Sequence, residues 1–191
     1  MEVVLANSLK AQAESLKKQA VALEAFIPTA ESIEPKVFKF TFADLSEDKR
    51  NSIVISQVPK KGKWIYSLTT DQPETIAEIF GKMSKEDKKE WKLPRYNGFS
   101  GNNSLYVGSS NSLRKRIEEH CGFGYKGTFS LKLNRFVCAD NIAFELKCFE
   151  IETDNQTILQ NIEDGLWREL KPMFGKPGSN NRLKRTSLTS N

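Results

Sequence analysis

Cysteine is scarce in this chain, and the three present, Cys121, Cys138 and Cys148, are odd in number and show no Cys-x-x-Cys spacing. That pattern supports neither a disulfide framework nor a zinc site, so the thiols read as reduced core residues. There is no long uncharged apolar run, and Met1 is not followed by a basic-then-apolar leader. These absences argue against a membrane span and against secretion, and the expected compartment is the cytoplasm. Charge of one sign does not dominate either. Lys and Arg number 29 against 24 Asp and Glu, a net charge of +5, and the pI is near 9.0. Such a balance favours a polyanionic partner without requiring one. The length of 191 residues suits one domain with a proper core plus an appendage.

Four segments follow from the patterning. Residues 1–27 form an amphipathic helix in which Ala6, Ala13 and Ala20 alternate with Leu9, Leu16 and Leu23, and Ile27 closes the series before Pro28. This stripe has to lie on its own domain, on a second copy in a homodimer, or on a helix of another protein. Residues 28–61 read as a linker and accessory strands. Phe38, Phe40 and Phe42 alternate with polar residues, Ser46 to Asn51 is a polar turn or helix start, and Ile53 to Val58 is a second strand candidate. These strands either extend the main sheet or form a small clamp. Residues 62–175 form the main unit, with an insert at 69–103, and 176–191 is a basic tail.

Within the main unit, Trp64 to Leu68 reads as a strand preceded by a basic turn, and Glu74 to Lys89 as a helix. Trp91 to Asn103 is a loop of basic, aromatic and glycine residues suited to reading DNA. Ser104 to His120 is a strand, a turn and a helix. Leu113, Arg116, Ile117 and His120 fall at i, i+3, i+4 and i+7, one stripe, while Lys115, Glu118 and Glu119 point elsewhere. On an isolated helix, Arg116 would snorkel and His120 would be a hydrogen-bonded core histidine. Gly122 to Gly127 is a flexible segment carrying Tyr125 and Lys126. Ile142 to Ile151 alternates as a strand, and Asn155 to Leu170 is a helix with Ile158, Leu159, Ile162, Leu166 and Leu170 on its apolar side. Glu163 and Glu169 both fall within or near that arc, and periodicity does not choose between them.

Tyr106-Val107-Gly108, with Arg116 ten residues on and His120 four beyond, resembles the second half of the GIY-YIG nuclease signature. Trp64-Ile65-Tyr66 fits the place of its first half, with Trp where the family usually has Gly. Glu163 through Lys171-Pro172 resembles the family's later block, which selects Glu163 over Glu169. Asn180 or Asn181 answers to an asparagine that follows the proline in the family.

The resemblance implies an α/β fold: a small, mainly antiparallel sheet flanked by the Leu113 and Gln156 helices, with an N-terminal helical extension. It also implies a metal-dependent endonuclease acting on DNA. Tyr66, Tyr106, Arg116, His120 and Glu163 would be its catalytic residues, and Glu163 would hold Mg²⁺ or Mn²⁺. Hydrolysis of a phosphodiester needs a nucleophilic water, a charge sink for the phosphate oxygens and help for the leaving oxyanion. In that division Glu163 ligates the cation, Arg116 faces a phosphate oxygen and Tyr66 activates or orients water. Tyr106 positions the water or a phosphate, and His120 hydrogen-bonds the Tyr66 phenol or takes its proton. Lys61, Lys63, Arg95, Arg114, Lys126 and Arg182 are the candidate phosphate contacts. The other functional class is a non-catalytic nucleic-acid-binding or assembly protein on the same fold, suggested by Trp64.

Overall fold

A computed structural model describes residues 2–45, 54–125, 127–136 and 141–178. The helices are α1 (Glu2–Glu31), α2 (Pro73–Lys82), α3 (Lys85–Glu90), α4 (Leu113–Cys121) and α5 (Gln156–Leu170). The strands are β1 (Lys36–Thr41), β2 (Trp64–Thr70), β3 (Ser104–Ser110) and β4 (Ala143–Glu150). They form one antiparallel sheet in the order β1-β4-β2-β3, so the expected α/β architecture of a sheet flanked by helices is what the chain adopts. Among the described residues no helix is long and apolar enough to cross a membrane.

The period of two along each strand sends alternate residues to opposite layers. Trp64, Tyr66 and Leu68 of β2 share one face with Leu146 and Cys148 of β4 and pack against Leu113, Ile117 and Cys121 of α4. Ile65 faces the other way, with Ile151, Phe149 and Leu159, Ile162 and Leu166 of α5. The phenylalanine-rich β1 extends the sheet rather than forming a clamp, pairing Phe40 with Phe144, whose rings stack at 5.3 Å.

Several elements depart from the sequence reading for identifiable reasons. Val54–Gln57 is a short 3-10 turn, not a strand, because Ile55 and Val58 both turn into the core. The 74–89 helix is two helices, interrupted at Met83–Ser84, where the Ser84 hydroxyl accepts the Asp87 N–H and begins α3 afresh. The insert joins the core through Ile76, Phe80 and Leu93. The loop after α3 is tied to the segment beyond α5: Asn97 N donates to the Met173 carbonyl, and Asn97 Nδ2 to the carbonyls of Pro172 and Gly175. That segment in turn donates from Met173 and Phe174 to the carbonyls of Ser104 and Leu105, covering the start of the β3 edge.

α1 runs past Pro28 to Glu31. Its contact with the domain uses Phe26 against the α5 layer, while Leu9 and Leu16 of the expected stripe are 62% and 54% exposed. Intramolecular packing therefore reaches the half-buried Leu23 end of the stripe and leaves Leu9 and Leu16 open. The polar turn at 46–51, Cys138, and the tail from 179 onward lie outside the described residues.

α5 must start at a fixed point for its later turns to face β3. The Asn155 side chain caps it by accepting from the N–H groups of Thr157 and Ile158. Asn155→Ala is expected to lower stability by about 1 kcal/mol, read as a shift in the urea midpoint at unchanged slope.

Candidate functional site

Two tyrosines on neighbouring strands face one histidine and one arginine on α4. In the antiparallel register Tyr66 sits opposite Gly108, and Leu68 opposite Tyr106, so both tyrosines emerge on the α4 face. Their rings stack at 6.2 Å with 19° between planes. Gly108 is what permits this. A Cβ there would lie 2.8 Å from the Tyr66 hydroxyl and 2.9 Å from Tyr106 Cε1, well inside contact distance.

Arg116 projects toward that stack and is gripped on three sides. Its Nε donates to the Tyr66 hydroxyl at 3.2 Å, Nη2 to the Tyr106 hydroxyl at 3.2 Å, and Nη1 to Glu119 Oε2 at 2.9 Å. Burial works against the guanidinium charge, but its contacts with Tyr66, Tyr106 and Glu119 outweigh it and raise its pKa above the ordinary value. Glu119 was expected to point away from the stripe and instead is 7% exposed. The i, i+3 spacing from Arg116 was the signal for it, since the two carry opposite charge on neighbouring turns.

His120 is 1% exposed, one turn beyond Arg116. Its Nε2 lies 2.9 Å from the Tyr66 hydroxyl, and its Nδ1 accepts the backbone N–H of Leu131 at 3.2 Å. Because Nδ1 must be unprotonated to accept, Nε2 carries the hydrogen of the neutral ring and donates it to Tyr66. Of the two roles open to His120, the geometry favours hydrogen-bonding the phenol over taking its proton. Burial first, then the charges of Arg116 and Lys132, hold the imidazole well below its usual pKa, so it is neutral where an ordinary histidine titrates.

The Tyr66 oxygen thus accepts from Arg116 and from His120. Burial raises its pKa strongly, Arg116 opposes that, and Tyr106 and Glu163 add to it, so the phenol is neutral at ordinary pH. The Glu163 contribution ties the two layers together. Glu163 belongs to α5 on the opposite face, is 3% exposed, and accepts the Ser109 hydroxyl at 2.5 Å through Oε2. Ser109, next to the motif glycine on β3, escaped sequence reasoning because a serine in a turn-rich run reads as a cap. Glu169 is exposed, so the fold separates the two glutamates that periodicity could not. Asp164, beside Glu163, is 8% exposed and accepts from Gln160 and from the Gly178 N–H.

Trp64, where the resemblance led one to expect glycine, has a bonding partner outside this cluster. Its indole is buried, donates to the Lys61 carbonyl at 2.9 Å, and packs where Gly62 leaves room; a Cβ on Gly62 would be 2.5 Å from Nε1. The charged residues singled out for phosphates are less uniform. Lys61 and Arg95 are exposed. Lys63 is turned to the Thr153 carbonyl and to the Asp154 carboxylate, and Arg114 Nε donates to the Val58 carbonyl at 2.8 Å. Both therefore fasten loops of this chain. Lys126, Arg182, Asn180 and Asn181 lie outside the described residues.

Residues 96–176 match the family described as the GIY-YIG catalytic domain, and this match supports the GIY-YIG nuclease superfamily for that segment of the chain. The match opens at Tyr96, so it takes in Tyr106, Arg116, His120 and Glu163 while Tyr66 stands outside it. Tyr66 reaches the group through the pairing of β2 with β3. Comparison with curated proteins and with solved structures gives no match.

The depressed histidine pKa has a measurable sign. Above 6.5 neither the folded nor the unfolded chain protonates His120; below it the unfolded chain takes up a proton that the folded chain refuses. Stability is therefore expected to fall as pH drops from about 7 toward 5, before most carboxylates titrate. Urea midpoints across that window check it, and in His120→Asn the slope should flatten even if the absolute stability is lower.

Proposed function

We propose that this protein is a metal-dependent endonuclease that hydrolyses phosphodiester bonds in DNA. The observation that carries the reading is the hydrogen-bonded group of Tyr66, Tyr106, Arg116 and His120, with Glu163 buried behind it against Ser109. An ordinary core would fill this space with apolar side chains and would not bury an arginine against two phenols.

Glu163 suits a hard divalent cation, Mg²⁺ or Mn²⁺, because it offers carboxylate oxygen that the Ser109 hydroxyl already orients. Among the described residues no group of three or more His, Cys, Asp or Glu is disposed to hold a metal, so the protein would supply few ligands and the substrate phosphate and water the others. When bound, the cation supplies charge to the phosphate oxygens and acidifies water.

The remaining steps belong to side chains. Arg116 has five N–H groups, three engaged with protein, and those left on Nη1 and Nη2 can meet a phosphate oxygen. Tyr106, half-buried, presents its hydroxyl beside them. Tyr66 orients the attacking water. Its oxygen already accepts from Arg116 and His120, which leaves its own O–H to donate to the oxygen of that water.

A non-catalytic nucleic-acid-binding or assembly protein is the second reading, favoured by Trp64 and by the burial that keeps Tyr66 protonated. Plasmid cleavage with and without Mg²⁺ separates the two. Glu163→Gln and Arg116→Ala should each lose about 10²–10³ in turnover, with gel-shift affinity changing far less because affinity rests on many phosphate contacts. Either variant cutting at the wild-type rate removes its residue from the site, and a wild-type protein that binds DNA without cutting it supports the second reading.

The same proposal extends to α1. Its exposed Leu9 and Leu16, with alanines between, suit a second copy of the helix. Light scattering should give a dimer for the full chain and a monomer for a chain beginning after Glu31; a monomer for both removes this part.

A further inference from the structure

Loop 122–130 carries two large aromatics that the core does not use. Tyr125 is 75% exposed and Phe129 62% exposed. Neither is loosely placed. The Tyr125 carbonyl accepts from the Thr128 N–H and from Lys132 Nζ. Its ring lies against Gly127, so close that a Cβ there would fall 2.3 Å from Tyr125 Cε1. The absence of a side chain at 127 therefore makes room for the ring, and most of the residue remains open to solvent. Phe129 is turned outward by its successors: the buried Ser130 hydroxyl donates to the Glu119 carbonyl at 2.8 Å, and the Leu131 N–H is held by His120.

These anchors are residues of the site. Glu119 grips Arg116 and faces the Thr128 hydroxyl at 3.5 Å, and Gly124 packs against it, a Cβ there falling 2.4 Å from Glu119 Cγ. The loop is thus built onto the helical turn that presents the arginine. The loop is fastened to Glu119 and His120, residues that also hold Arg116 and Tyr66.

We propose that Tyr125 and Phe129 form a stacking platform for unpaired bases, so that the substrate is a nucleic acid with a single-stranded segment beside the phosphate that Arg116 contacts. This rests on the nuclease reading and names its substrate class. Every base has a π-face, but in a duplex those faces are covered by the neighbouring base pairs, and only edges and phosphates are offered. Phe129 has no polar atom with which to read an edge or a phosphate. Exposed aromatic rings on the loop fastened to the turn that carries Arg116 fit a strand whose bases are unstacked.

The test is fluorescence anisotropy of the full-length protein in EDTA, where no cleavage intrudes. The probes are one labelled mixed-sequence oligonucleotide as a single strand and the same sequence as a blunt duplex. Wild type should bind the single strand more tightly. Tyr125→Ala and Phe129→Ala should each weaken single-strand binding by about 5- to 100-fold, with duplex binding changed by much less and the dependence on salt unaltered. Tyr125→Phe, which keeps the ring, should retain the affinity, whereas Tyr125→Leu, apolar without a ring face, should lose it; unchanged urea midpoints exclude misfolding. Equal losses on both probes, no loss on either, no single-strand binding by wild type, or a changed oligomeric state in the alanine variants would each overturn the platform. Its fate is separable from that of the nuclease reading. Single-strand binding as expected in a protein that never cuts would retain the platform and remove the enzyme, and cleavage insensitive to both aromatics would do the reverse.

Discussion

The three-way grip on the Arg116 guanidinium is the constraint from which the rest of the arrangement follows. A cation with only 18% of its side chain exposed needs acceptors in fixed directions, and Tyr66, Tyr106 and Glu119 supply them from two strands and the helix itself. For the two phenols to reach one fork they must come within stacking distance, which requires glycine at 108. For Nε to find the Tyr66 oxygen, α4 must lie across β2 at a set height, which Leu113 and Ile117 fix by burial. A lysine could not meet these demands, since its single ammonium has no planar fork.

The two layers make unequal contributions. α4 delivers the arginine and histidine onto the face where the tyrosines emerge, while α5 brings Glu163 from behind, to Ser109. β3 is the outer strand, so its edge is where both layers can approach one region. The segment after α5 then turns back over Tyr106, with Gly175 in a left-handed conformation at φ +98 and its place for a Cβ 3.1 Å from the ring.

Much of this was legible in the residues. The alternation in Ala143–Glu150 and the apolar arc of α5 gave their elements, and the Tyr106, Arg116 and Glu163 blocks pointed to the family that the match at 96–176 supports. What periodicity cannot carry is the fate of a polar residue whose partner is remote in sequence. Glu119 reads as a solvated glutamate until the loop at 128–131 closes over it, and Lys63 as a phosphate contact until Asp154 arrives beside it. Short apolar runs failed for another reason. Ile55 and Val58 are equally compatible with a strand or with one turn of 3-10 helix, and their buried places in the core decide. The aspects that rest on pairs far apart in the chain, such as the neutral state of His120, have no local signature at all.

The strand order has a consequence for how the chain comes into being on a ribosome. β2 pairs with β4, so Thr70 waits for Phe144, and the turn that covers the β3 edge is made by Met173 and Phe174. A nascent chain that has emerged only as far as α4 holds Tyr66, Tyr106, Arg116 and His120 but has neither β4, which joins β1 to β2, nor the helix that carries Glu163. Contacts of such long range close late and close together. The cluster therefore has no locally assembled precursor, and whatever chemistry it performs is withheld until almost all of the described chain has been made.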